Sequence, residues 1–508
     1  MTAPDRFFCL GIDIGTSSCK VCVVDAAGTL VGAAGYPYET YSPFDGWAEQ
    51  DPSDWLKAVV EAVRNALSST RIDATRVRLL SLTSAAHIAV LTDGHDKPLR
   101  RAILWNDQRS VAEAREFSES HGDFILERTF NSVSTTWTLP HLAWIRKHDP
   151  QAWSQTACIC FSKDFIARWL TGELFTDPAT AVSAMLYDAI SGRWSEELCG
   201  LLGLRPDMLP QVKPVMSVCG HLRPDAASML NLPPGIPVVN GTLDSASETY
   251  CAGALQAGDC VIRLGTAGGI HVVKAAPRPH PQLITYPHPI GNLWYSQAGT
   301  NSAGTAITKM IRLFGGEPSI SLDERIKQAS AIPAGSNGLF FHPFLSGERC
   351  PYWDPLLRGT FSGISFQHGP AHFVRAVIEG VSFSLKDAFL TITAEEPCRD
   401  NIRVVGGGIA NSLWVKILSD ILGRPLIIMR GADSAYGTAL LGLAAVATGE
   451  ASLSELQPAR AHSLQIQPCD ESHQTYKIAF AAYKALCSGL LSLYHESALR
   501  EFRDKLEN

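Results

Sequence analysis

The chain has 508 residues, 46% hydrophobic and 18% charged, with a formal net charge of −7. That length holds two large domains, or a few small ones, and buries an ample core. The charge balance gives no basis for nucleic acid or an acidic membrane as partner, and no stretch approaches the ~18 apolar residues of a membrane span. The opening "MTAPDRFFCL" does not read as a signal peptide, so a cytoplasmic protein is expected. Thirteen cysteines, an odd number, are scattered from Cys9 to Cys487. In a reducing compartment they read as buried thiols rather than disulfides.

Residues 7 to 36 predict hairpin strands: "FFCLGIDIG", "CKVCVVDAAG" and "LVGAAGY", with Asp25 to Gly28 as the second turn. The first turn brings together Asp13, Thr16, Ser17, Ser18 and Lys20, groups able to hold a phosphate or a metal, although the chain contains no Walker loop. Cys19 and Cys22 form a C-x-x-C within the predicted strand, where positions three apart point to opposite faces and cannot share a metal. A helix is predicted at "DPSDWLKAVVEAVRNAL", with Asp51 as cap, Pro52 in the first turn and Trp55, Val59 and Val63 on the apolar face. The strand "VRLLSLT" follows. Three strands, a helix and further mixed elements predict an α/β domain with a mixed sheet.

Farther on, "IPVVNGTLDSASETYCAGAL" opens with a strand ending at Asn240, which places Asp244 in the turn beyond. An acid there suits a general base for a bound hydroxyl and equally suits a helix cap. The domain boundary is placed near residues 246–258, giving domains 1–250 and 251–508. "CVIRLGTAGGIHVV" has the outline of the first hairpin, so that Gly265-Thr266 corresponds to Gly15-Thr16. "NIRVVGGGIANSLWVKILSDILG" predicts a strand, a triple-glycine turn and a helix. Such a turn lets the backbone approach a ligand. Two Gly-Thr turns, the acids Asp13 and Asp244 and this glycine turn fit phosphoryl transfer from a nucleotide. That chemistry needs donors and a divalent cation around the phosphates and a base at the acceptor.

With those segments in view, the chain resembles the FGGY carbohydrate kinases, and most of all their xylulokinase-type members. The most specific piece is "FHPFLSGERCPYWDPLLRGTFSGI"; "GWAEQDPSDW", "AILWNDQRS", "TLPHLAWIRKHDP" and "SKDFIARWLTGE" are also similar to family landmarks. The resemblance implies two actin-like (ribonuclease H-like) domains with mixed sheets flanked by helices and a cleft between them. It implies ATP and Mg²⁺, with Asp13 acting through the metal, and Thr16, Ser17, Ser18 and Lys20 facing phosphate. Asp244 is implied as general base, Gly265 and Thr266 as the second phosphate turn, Gly304 and Thr308 as nucleotide contacts, and Gly407 and Asn411 as the adenosine side. Ala86, His87, Trp105, Asn106 and Asp107 fall in segments that line the sugar site. The expected partners are a small sugar and ATP, with room for a homodimer.

Two stretches depart from the family pattern. "SAAHIA" keeps His87 but has Ala85 and Ala86 where xylulokinases carry Gln-Met, and "ATAVSA" replaces Ser-Asp-Ala-Ser-Gly-Thr, which removes an acid at Thr180 while Asp177 remains. Both lie on the sugar side. The resemblance therefore implies phosphorylation of D-xylulose to D-xylulose 5-phosphate, with gluconate or another ketose or polyol as alternative acceptors. From other classes, an actin-like ATPase without a sugar acceptor would lack the sugar-side set, and an inactive sugar sensor would lose Asp13 or Asp244.

Overall fold

The computed structural model describes residues 7–394, 396–446 and 464–496. The first six residues of the opening segment and the end of the second-domain assignment lie outside them. The predicted hairpins form as β1 (Phe8–Ile14), β2 (Ser18–Asp25) and β3 (Leu30–Pro37). Then come α1 (Pro52–Thr70) and β4 (Val77–Ser84). The Asp51 carboxylate caps α1 by accepting from the Ser53 N–H, and Trp55, Val59 and Val63 are buried along its inner face. After α2 (Pro178–Ser183), β5 (Val218–His221) and β6 (Pro237–Val239) complete a six-stranded mixed sheet in the order β5-β6-β4-β1-β2-β3. The helix α3 (Asp244–Cys251) leads out of it.

The second half repeats the plan. β7 (Cys260–Leu264) pairs antiparallel with β8 (Gly268–Lys274), as β1 pairs with β2. It pairs parallel with β11 (Ile402–Val405), as β1 does with β4. Between these come β9 (Ile284–Pro287), β10 (Trp294–Thr300), α4 (Gly304–Phe314) and α5 (Pro370–Thr393). The helix α6 (Ser412–Leu422), β12 (Leu426–Ile428), α7 (Ser434–Val446) and β13 (Leu464–Ile466) follow. The second sheet has seven strands in the order β9-β10-β8-β7-β11-β12-β13. The Gly-Thr likeness read in the sequence thus reflects a repeated topology. Among the described residues no helix is long and apolar enough to cross a membrane.

What joins the halves also positions the site. Cys9, Val24 and Leu79 of the first sheet share one apolar cluster with Val261, Val273 and Val405 of the second, and α3 and α7 supply the residues between them. Ala435 to Leu443 of α7 are buried without a break, as expected for a helix enclosed on every side. Cys19 belongs to the cluster on the other face of the first sheet, so the two sulfurs of the C-x-x-C do point apart, and all thirteen cysteines are free. The edge strand β9 crosses to the first half, where the Asn131 amide accepts from the Thr285 N–H at 2.7 Å and donates to its carbonyl at 2.9 Å.

The helix α7 sits against β1 because Gly11 has no side chain: a Cβ there would lie 2.0 Å from the Ala435 carbonyl oxygen. Gly11→Ala is therefore expected to destabilise the protein by ~1–3 kcal/mol through overpacking. It should also lower turnover, since Ser434 at the start of α7 bonds to Asp13. Thermal melting and steady-state turnover of the variant check both effects.

Candidate active site

Asp13 lies near the end of β1, opposite Lys20 of β2, and is 9% exposed. Its Oδ2 accepts the Ser434 hydroxyl at 2.5 Å, while Oδ1 is buried without a hydrogen-bond partner. Burial, and then the Asp244 charge, push its pKa up to about 7. Lys20 does not stand free, because its Nζ is 2.6 Å from Asp433. Burial pulls the ammonium pKa down, but the Asp433 carboxylate outweighs it and the net shift is upward. In the turn itself Ser17 is exposed and Thr16 and Ser18 are half-buried. The Trp105 indole N–H donates to Thr16 Oγ1 at 3.1 Å, which ties the sugar-side segment to the phosphate-side turn.

Asp244 is reached through a braced loop. Thr83 donates to the Thr242 carbonyl at 2.6 Å, and the Thr242 hydroxyl donates to Asp177 Oδ2 at 2.8 Å. Leu243 occupies the cap position of α3, and Asp244 is its first helical residue. The Asp244 carboxylate accepts only the neighbouring Ser245 N–H at 2.7 Å, so of the two sequence readings the helix cap is not realised. Burial raises its pKa, with Arg263 and the Ser245 N–H pulling the other way. Arg263 stands two residues before Gly265, as Asp13 stands two before Gly15, so the repeat sets a cation across from the acids. Its Nε lies 3.3 Å from Glu248, whose own pKa burial lifts to about 7.

The glycine turns follow β1, β7 and β11. The Gly304 N–H donates to the Gly265 carbonyl at 2.9 Å and the Ala303 N–H to that of Thr266 at 3.1 Å, so α4 begins directly on the second Gly-Thr turn. Thr266 is exposed, and Thr308 is half-buried one turn along α4. Gly406 has φ 90° and would place a Cβ 2.7 Å from the Leu264 carbonyl oxygen, so only glycine fits. Gly407 opens outward with nothing beside it, and the Asn411 side chain caps α6 by accepting from the Trp414 N–H at 3.0 Å.

On the sugar side His87 is buried at φ 66°. Its Nδ1–H donates to the Ser183 carbonyl at 3.0 Å and its Nε2 accepts the Tyr286 hydroxyl at 2.8 Å. Burial lowers its pKa to about 3, so the ring is neutral. Ala85 is buried and Ala86 half-buried beside it, and Asn106 is exposed. Asp107 is wholly buried. Its carboxylate takes the Ala48 N–H at 2.6 Å and Arg109 at 2.7 Å, while Arg109 also reaches Glu49 at 2.6 Å. That pairing makes Asp107 and Arg109 braces of the wall rather than free groups. The departing segment "ATAVSA" forms most of α2. At its start, Asp177 accepts the Thr180 hydroxyl at 2.5 Å and pairs with Lys163 at 3.1 Å, and at its end Ser183 holds His87.

Sequence reasoning missed Asp433, Ser434 and Tyr286, and gave Arg349, within the most specific family string, no role of its own. Ser434 and Asp433 come from more than four hundred residues away, and no local pattern marks them. Arg263 was recoverable from the Gly-Thr repeat by counting two residues back from each glycine.

The donor set has room for a cation at Asp13 Oδ1, an orphaned buried oxygen. Among the described residues no group of three or more His, Cys, Asp or Glu side chains could hold a metal by itself. That suits Mg²⁺, which is commonly bound through one or two carboxylates together with phosphate oxygens.

Residues 8–251 match the N-terminal domain of the FGGY family of carbohydrate kinases, and residues 260–446 match its C-terminal domain. A xylulose kinase of Bacillus subtilis is 28% identical over 503 residues, covering 98% of this chain and 99% of that protein. A gluconokinase of the same organism is 28% identical over 458 residues, covering 87% and 88%. The crystal structure of a xylulose kinase from Rhodospirillum rubrum superposes with a TM-score of 0.85 at 29% identity, covering 96% of this chain and 99% of that one. With both domain models matched in order over residues 8–251 and 260–446, the chain belongs to the FGGY family of carbohydrate kinases.

Proposed function

We propose that this carbohydrate kinase transfers the γ-phosphoryl group of ATP to a hydroxyl of D-xylulose, with Asp244 as general base. The observation that carries the reading is the half-buried Asp244 carboxylate, left free by every side chain and facing the same cleft as Asp13 and Arg263. Residues 1–250 hold the sugar and the transferring phosphate, and 251–508 hold the nucleotide.

In this reading the acceptor hydroxyl lies against Asp244, which takes its proton as the oxygen attacks phosphorus. Asp13, whose Oδ1 is unpartnered and whose Oδ2 is fixed by Ser434, would hold Mg²⁺. Mg²⁺ when bound supplies charge neutralisation at the phosphate oxygens. Lys20, pinned by Asp433, and the backbone N–H groups of Thr16, Ser17, Ser18 and Thr266 face the phosphates. Gly304 and Thr308 border them, and Gly407 and Asn411 flank the adenosine. His87, Ala86, Trp105 and Asn106 line the sugar, with Asp107 holding that wall through Arg109. The reaction is placed in the cytoplasm, and the chain is proposed to act as a homodimer.

Gluconate is the second reading, favoured by the gluconokinase relative. Against it, Arg109 is spent on Asp107 and Glu49 and cannot meet a carboxylate. Comparing kcat/KM for D-xylulose, ribulose and gluconate tests the assignment. The expected order is xylulose moderately above ribulose, with gluconate poor, since Ala85 and Ala86 leave one wall without directional groups. Gluconate as the best substrate would overturn the pentulose reading.

A further inference from the structure

A second arginine stands beside the sugar-side wall, and among the described residues its guanidinium forms no ion pair. Arg349 belongs to the "SGERCP" loop of the second half. One of its Nη atoms donates to the Thr300 carbonyl at 3.0 Å, and Nε is buried without a hydrogen-bond partner. The charge of the adjacent Glu348 is felt at the guanidinium, but the two make no ion pair. That carboxylate turns to the Asn301 N–H at 2.7 Å, the Arg349 N–H at 2.8 Å and the Ser384 hydroxyl at 3.1 Å, and so pins the loop to β10 and α5. The guanidinium lies flat on Gly299, where a Cβ would come within 2.8 Å of Cζ.

Its neighbours say which part of the cleft it serves. Cζ is 5.8 Å from the centre of the Trp105 ring in the first half, within cation–π reach. Its charge is also felt at His87 and at Tyr286. Arg263 differs: it pairs with Glu248 at 3.3 Å, whose charge acts on it most, followed by those of Asp244 and Asp13. The two cations therefore divide the cleft, Arg263 with the acids of the transfer centre and Arg349 with the aromatic sugar wall. A buried guanidinium N–H left without a hydrogen-bond partner is costly unless a ligand oxygen completes it.

Resting on the reading of this wall as the acceptor site, we propose that Arg349 is a specificity-determining residue. Its unpaired N–H groups receive the carbonyl oxygen of a ketose and so distinguish it from the corresponding polyol. A guanidinium gains more from an oxygen bearing negative charge than from a hydroxyl. Because Arg349 comes from the second half and Trp105 from the first, the bound sugar also links the two walls.

Calorimetric titration with D-xylulose, xylitol, gluconate and glucitol tests it on the wild-type chain, Arg349→Lys and Arg349→Met. Wild type is expected to bind xylulose more tightly than xylitol, with gluconate and glucitol both weak. Arg349→Met should weaken xylulose binding ~10–100-fold, the worth of a charge-assisted hydrogen bond, with polyol binding little changed and Arg349→Lys in between. Equal weakening of both members of a pair, no weakening, or no wild-type preference would overturn the proposal. So would an unaltered sugar Kd with a raised KM for ATP, which would place the guanidinium on the phosphates. The titration needs no turnover, so failure of the kinase reading shows separately, as wild-type chain that binds a sugar without phosphorylating it. A melting curve for each variant separates lost binding from lost folding.

Discussion

Asp244→Asn is expected to lower turnover ~10²–10⁴-fold, the range for removing a general base. Asn has nearly the same size and can still accept from the Ser245 N–H, the one bond the carboxylate makes. Stability and sugar affinity should change little, and the loss should fall on kcat. A residue that only began α3 would tolerate the exchange, so a fully active variant removes Asp244 from the chemistry. The pH profile carries a second signature. Burial holds the Asp244 pKa above the ordinary carboxylate value, and the base acts only when ionised. In wild type, kcat/KM should therefore fall with decreasing pH through an apparent pKa above the ~3.9 of a free aspartate. His87, neutral down to about 3, contributes nothing to that limb, whereas Asp13, raised to about 7, titrates within it as well.

Asp13→Ala is expected to cost ~10²–10³-fold in turnover, comparable to removing a preorganised electrostatic group. Its cause differs from that of Asp244→Asn. The oxygen lost is the unpartnered Oδ1, so raising Mg²⁺ should restore little of the activity, and nucleotide should bind with a weaker dependence on Mg²⁺. A Mg²⁺ titration of turnover and of ATP binding checks both. Ser434→Ala should be milder, since it removes one donor to Asp13 and leaves the charge. Full rescue of Asp13→Ala at high Mg²⁺ would mean that the metal is held elsewhere.

The elements of the fold were legible where they are local. The first hairpins, the Asp51-capped helix and the glycine turn before α6 all stand where periodicity and turn residues put them. The repeat was legible too, because both sheets grow from the same hairpin-and-parallel-strand unit. The partners of the site residues were not. Lys20 reads as a group that can hold a phosphate, and its partner Asp433 lies 413 residues away. His87 falls in a segment that lines the sugar, and its two ring nitrogens are held by Ser183 and Tyr286. Asp107 looked like a lining acid and is enclosed by Arg109 and the Ala48 N–H. Such pairings are set by tertiary packing, and a spacing rule along one strand carries no information about them.

The central claim is that this cleft passes phosphate to a sugar rather than to water. Phosphorus NMR of the chain with Mg-ATP, with and without D-xylulose, tests it directly. The account predicts a new phosphate-ester resonance that grows in step with ADP and only when the sugar is present. ADP released together with inorganic phosphate at a rate indifferent to the sugar would contradict it.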